Sequence, residues 1–114
     1  MNDRPERVTR RLADLATFAD EAAYVVAQGR AAYLDPSPSG VLLRNAGERI
    51  LIKVATVVEK LPDAYKEQHP DVPWVAIARM RNLVAHHDDK VNDDVMWTAL
   101  ERRVPEMVRM LALR

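Results

Sequence analysis

The stretch Ile50-Leu-Ile-Lys-Val-Ala-Thr-Val-Val58 decides the fold. Taken alone, its β-branched residues suit a strand. The chain around it argues otherwise. Apolar positions continue at three-and-four spacing through Leu43, Ala46, Ile50, Val54, Val57 and Leu61, about five turns at helical pitch. A strand also needs a partner, and no other stretch reads as one. Residues 39–61 are therefore expected to form a helix, and the protein to be all-α. Leu42, Leu51, Ile52, Ala55 and Val58 widen the apolar surface of this helix beyond one face. Such a helix is central, or it faces both a core and a partner subunit, and its breadth argues for a dimer.

Towards the N-terminus, Asp3-Arg-Pro-Glu6 combines an N-cap residue, an early proline and an acid three residues after the cap. Val8, Leu12, Leu15, Ala19, Ala22 and Val26 then line an amphipathic helix expected to reach Leu34, with Gly29 weakening its last turns. Asp35-Pro-Ser-Pro-Ser-Gly40 is a loop in which Ser37 or Ser39 can cap the next helix. Towards the C-terminus, Pro62 ends the central helix and a short helix over 62–69 follows. Pro73 opens another running from Trp74 to Asp89. Asn92 is the expected cap of a final helix that buries Trp97, Leu100, Val104, Met107 or Val108, and Leu111. Pro105 should kink that helix or mark an irregular turn. Four principal helices with short links predict a single domain over 1–114, an antiparallel four-helix bundle plus a short connecting helix.

Composition narrows the function. Seventeen basic and seventeen acidic residues cancel, so nucleic-acid binding would need a local cluster rather than a basic surface. The absence of cysteine excludes a disulfide framework, a thiolate zinc site and a cysteine nucleophile. Three glycines cannot build a dinucleotide-binding fold. No signal-peptide core or membrane span is visible, so the cytoplasm is the expected location.

Chemistry concentrates in Arg79-Met-Arg-Asn-Leu-Val-Ala-His-His-Asp-Asp89. On a helix, Trp74, Ile77, Arg81, Val84 and Asp88 share the stripe that would normally be buried. Arg81 must then pair with Asp88 or with an acid on a neighbouring helix, or face a cleft that takes an anion. His86 lies five residues on, roughly 140° further round the helix, and a long arginine can still converge with it. Arginine for a phosphate and histidine for a proton suffice for RNA cleavage without a metal. A metal site is the weaker reading: adjacent side chains of His86-His-Asp-Asp89 diverge by about 100°, and only His86 and Asp89 could share an ion. His69 reads as a solvated or capping residue, Trp74 and Trp97 as core. Asp93 and Asp94 complement a helix N-terminus.

Gln68-His-Pro-Asp-Val-Pro-Trp-Val-Ala-Ile-Ala-Arg-Met-Arg-Asn-Leu-Val-Ala-His86, followed by Val91-Asn-Asp-Asp-Val-Met-Trp97, resembles the HepT-like ribonuclease family of the HEPN superfamily. The resemblance implies a homodimeric helical bundle acting as the toxin of a toxin–antitoxin pair. Its partner would be an MntA-like minimal nucleotidyltransferase, its substrate RNA, and it would use no metal or cofactor. Arg81 would hold the scissile phosphate, His86 would move the proton, and Asn82 would orient the arginine or line the site. Two departures stand out. Asp88 occupies the place of the family tyrosine that accepts AMP, and a carboxylate cannot accept AMP as the phenol does. Beside it, His87 could serve as a second proton carrier. Ala55-Thr56 stand where the family has Gly-Glu, a small residue for close helix approach and an acid facing the site. A bundle that keeps the docking surface without the cleavage is the alternative reading.

Overall fold

The computed structural model of the protein describes residues 4–85 and 91–113, and among these every regular element is helical. The elements are α1 (Arg4–Ala27), α2 (Arg30–Leu34), α3 (Pro38–Lys60), α4 (Asp63–Glu67), α5 (Trp74–Ala85), α6 (Val91–Thr98), a π-helical turn (Ala99–Arg103) and α7 (Val104–Met110). The expected all-α bundle is present, 52 × 25 × 24 Å in extent. No helix among the described residues is long and apolar enough to cross a membrane.

Ile50–Val58 is helical throughout, and α3 is the central element. It packs against α1, α2, α5 and α6, most extensively against α5. Leu51, Val54 and Ala55 are fully buried and Val58 nearly so. The breadth that argued for a second subunit is thus largely covered within one chain. Near the start of the helix, Val41, Leu42 and Ala46 stay exposed.

The first helix does not reach Leu34. It stops at Ala27, where the amides of Gln28 and Gly29 bond back three residues to the carbonyls of Val25 and Val26. Gly29 then adopts φ 94°, a conformation that a side chain disfavours. The break redirects the chain into α2 and delivers Tyr33 to the core, its ring 5.3 Å from that of Trp97.

Ser37 caps α3 as expected, its hydroxyl oxygen accepting from the Gly40 amide at 3.4 Å. The Asp35 carboxylate accepts from the Ser37 amide at 3.0 Å, and its hydrogen bonds to Ser37 hold its pKa below the usual carboxylate range. Arg44 closes this corner by donating to the carbonyls of Tyr33 and Asp35.

The C-terminal helix departs from expectation at its start and follows it at Pro105. Val91 is already helical, so Asn92 lies inside the first turn rather than capping it. Ahead of Pro105 the helix widens, and the Val104 amide bonds to the carbonyl of Ala99, five residues back. Proline lacks the amide that would complete the regular ladder, and the π turn is the irregularity that accommodates it. Trp97, Leu100, Val104, Met107 and Leu111 are buried through this change of pitch.

Candidate active site

Pro73 precedes α5 and its carbonyl accepts from the Ile77 amide, which starts the helix. Trp74 anchors that start. Its indole N–H donates to the carbonyls of His69 (3.0 Å) and Lys66 (3.2 Å), tying the α4–α5 link to the helix. The Tyr65 ring lies 4.7 Å from His69 and 6.2 Å from Trp74, and burial raises the Tyr65 pKa. His69 is therefore a structural clasp. Trp74 is half-buried and Trp97 fully within the core.

The buried face of α5 is formed by Ile77, Met80 and Val84. Relative to the expected stripe it is turned towards Met80, and Arg81 is left at the edge, its side chain 48% exposed. No buried charge has to be compensated. One guanidinium nitrogen of Arg81, Nη1, donates to Oε2 of Glu59 on α3 at 2.8 Å. This is the acid on a neighbouring helix that residue spacing allowed. Sequence reasoning did not single it out because the family acid falls at Thr56; Glu59 is three residues later, one turn along the same side of α3. That i+3 relation was the signal that could have found it. Ala55 is fully buried, so a small residue still serves the packed side of α3.

Asn82 is exposed and lines a groove on the other flank of α5 together with Arg79, Leu83 and residues of α6 and the π turn. The Arg81 side chain bonds to Glu59, so the carboxylate, rather than the Asn82 amide, orients it among the described residues. His86, His87 and Asp88 lie outside the described residues, as does Asp89. Among the described residues no three His, Asp or Glu side chains come together in a group that could hold a metal ion. Asp93 and Asp94 do stand in the first turn of α6, and Asp94 pairs with Arg30.

The arrangement offers an exposed arginine with one N–H edge held by a carboxylate and its remaining donors without a partner among the described residues. Such a fork can grip a phosphate.

The family described as ribonuclease HepT-like matches residues 39–113, a span that contains Glu59, Arg81 and His86. A candidate RNase of Caldanaerobacter subterraneus subsp. tengcongensis is 31% identical over 70 residues, covering 61% of this chain and 62% of that protein. A candidate RNase of Methanocaldococcus jannaschii is 30% identical over 61 residues, 54% of this chain and 50% of its own length. A candidate ribonuclease HepT of Thermococcus cleftensis is 29% identical over 59 residues, 52% of this chain and 54% of its own. The chain thus spans between half and five-eighths of these relatives. No solved structure matches. With the family match covering well over half of its length, the chain belongs to the ribonuclease HepT-like family.

Proposed function

We propose that the protein is a metal-independent endoribonuclease in which Arg81 binds the scissile phosphate and His86 transfers protons. The exposed, half-engaged guanidinium of Arg81 within the family-matched span carries this reading. His86 removes the proton of a ribose 2′-hydroxyl, and the 2′-oxygen attacks the adjacent phosphorus. Arg81 stabilises the charge that builds on the non-bridging oxygens. The bond from phosphorus to the 5′-oxygen breaks and that oxygen takes up a proton, leaving a 2′,3′-cyclic phosphate and a 5′-hydroxyl. Asn82, His87 and Asp88 are the supporting residues of this proposal.

In the same reading the protein acts in the cytoplasm as a homodimer and is the toxin of a pair whose other member is an MntA-like nucleotidyltransferase. With Asp88 in place of the tyrosine, neutralisation would rest on docking rather than AMPylation. A gene for such a nucleotidyltransferase beside this one is the expected context, and an unrelated neighbour counts against the pairing.

The test is cleavage of a labelled RNA in EDTA by the wild type, Arg81→Ala and His86→Ala. Loss of one group that stabilises the transition state lowers the rate by about 100-fold or more. Cleavage that both substitutions leave intact overturns the assignment of these residues. An inert, folded wild type favours the second reading, a non-catalytic subunit that docks the nucleotidyltransferase. One observation leans that way: the Glu59 carboxylate already engages the arginine that would hold the phosphate.

A further inference from the structure

The groove on the α6 side of α5 has a volume of about 480 Å3, within the roughly 300–1,000 Å3 of clefts that take small ligands. Its floor is apolar, built from Leu51, Met80 and Met96, and Leu83 and Val95 at its lips are 41% and 42% exposed. Arg79 on α5 and Arg103 at the end of the π turn also line it. Both are exposed, and neither forms an ion pair with any described residue, whereas Arg81 on the opposite flank is engaged by Glu59. Asn82 adds an amide, one donor group and one acceptor.

We infer that this groove is a nucleobase subsite for single-stranded RNA, taking one base against its apolar floor with backbone phosphates on Arg79 and Arg103. The inference rests on the ribonuclease reading, which supplies RNA as the ligand, and it names where the strand is held beside the reacting bond. A base has two apolar faces and a polar edge, and pockets that accept an unstacked base provide apolar walls and a hydrogen-bonding group for that edge. The groove holds both. A nucleotide also carries a phosphate on each side, which suits cations contributed by separate elements. This local pair of cations answers the zero net charge of the chain. Two copies meeting through this groove about a two-fold axis would instead bring like charges together.

The experiment uses a short fluorescein-labelled oligonucleotide with every 2′-oxygen methylated, which cannot be cleaved through that oxygen. Anisotropy is followed against salt for the wild type, Arg79→Ala, Arg103→Ala and Leu83→Glu. The subsite predicts a loss of about 10-fold in affinity for each arginine variant, with the salt slope reduced by about 0.7 for each phosphate that is no longer neutralised. Leu83→Glu should weaken binding further, and Asn82→Ala should flatten the preference among the four homopolymers. Binding with these features in a protein that fails to cleave overturns the catalytic reading and leaves the subsite standing. Cleavage with KM unchanged in both arginine variants overturns the subsite and leaves the catalytic reading. Neither binding nor cleavage removes both. An acidic amphipathic peptide that shifts the methyl resonances of Met80, Leu83 and Val95 while the oligonucleotide does not would make the groove a protein-docking site and overturn the proposal.

Discussion

Arg81 of α5 and Glu59 in the last turn of α3 are joined by a 2.8 Å hydrogen-bonded ion pair, although 22 residues separate them in the chain. An acid at a helix C-terminus works against the helix dipole, and the arginine offsets that cost. Both side chains are more than two-fifths exposed, so the pair adds little to stability, about 0.2–1 kcal/mol for pairs of this kind. Its consequence is where it places the guanidinium.

Glu59→Gln should therefore leave the melting temperature almost unchanged and alter catalysis. With the neutralising carboxylate gone, KM for RNA should fall; with the guanidinium less constrained, kcat should fall several-fold, and Glu59→Asp should restore part of it. Steady-state cleavage kinetics beside thermal melts check this. A rise in kcat would mean that Glu59 only competes with the phosphate.

Gly47 lies where α3 packs tightly against Leu100 of the π turn and Tyr33 of α2. A Cβ there would lie 2.8 Å from Leu100 Cδ1 and 2.9 Å from the Tyr33 hydroxyl. Gly47→Ala should destabilise the protein by about 1–3 kcal/mol through overpacking, despite the better helix propensity of alanine. Urea denaturation measures it; an unchanged midpoint would mean that Leu100 and Tyr33 move aside freely.

The Tyr33 hydroxyl is buried without a hydrogen-bond partner among the described residues, and burial raises its pKa, with the nearby Glu48 and Asp93 charges adding to the rise. An unsatisfied buried hydroxyl costs about 1–3 kcal/mol, so Tyr33→Phe should be neutral or stabilising while Tyr33→Ala should be strongly destabilising. A clear loss of stability in the phenylalanine variant, read by the same denaturation, would show that the hydroxyl has a partner in solution.

Asp35 gives the start of α3 a pH dependence. Its folded pKa lies below the ordinary value because it accepts hydrogen bonds from Ser37. The stabilisation is therefore complete above the unfolded carboxylate pKa, about 3.9, and disappears as pH falls through the lower folded value. Asp35→Asn should lower the melting temperature slightly at neutral pH and flatten its decline in acid. Parallel declines for the two proteins would remove Asp35 as the cause.

Local pattern was enough for much of this protein. Period, proline placement and the Ser37 cap are properties of neighbouring residues, and they identified an all-α chain whose central helix contains Ile50–Val58. The stretch resembling a ribonuclease family was equally legible, and the family match over 39–113 agrees with it. Other features depend on contacts between residues far apart in sequence. Gly29 looked like a weak point in one helix, but the gain from seating Tyr33 against Trp97 turns it into a break. Spacing shows the breadth of the apolar surface of α3 but not how α1, α2, α5 and α6 divide it between them. By spacing Arg81 falls on the stripe a helix buries, and only the rotation of α5 against α3 puts it at the edge with Glu59. Spacing specifies which residues share a face of one helix. Which way that face turns, and which charge meets it, follows from the packing of whole helices, and there tertiary structure alone decides.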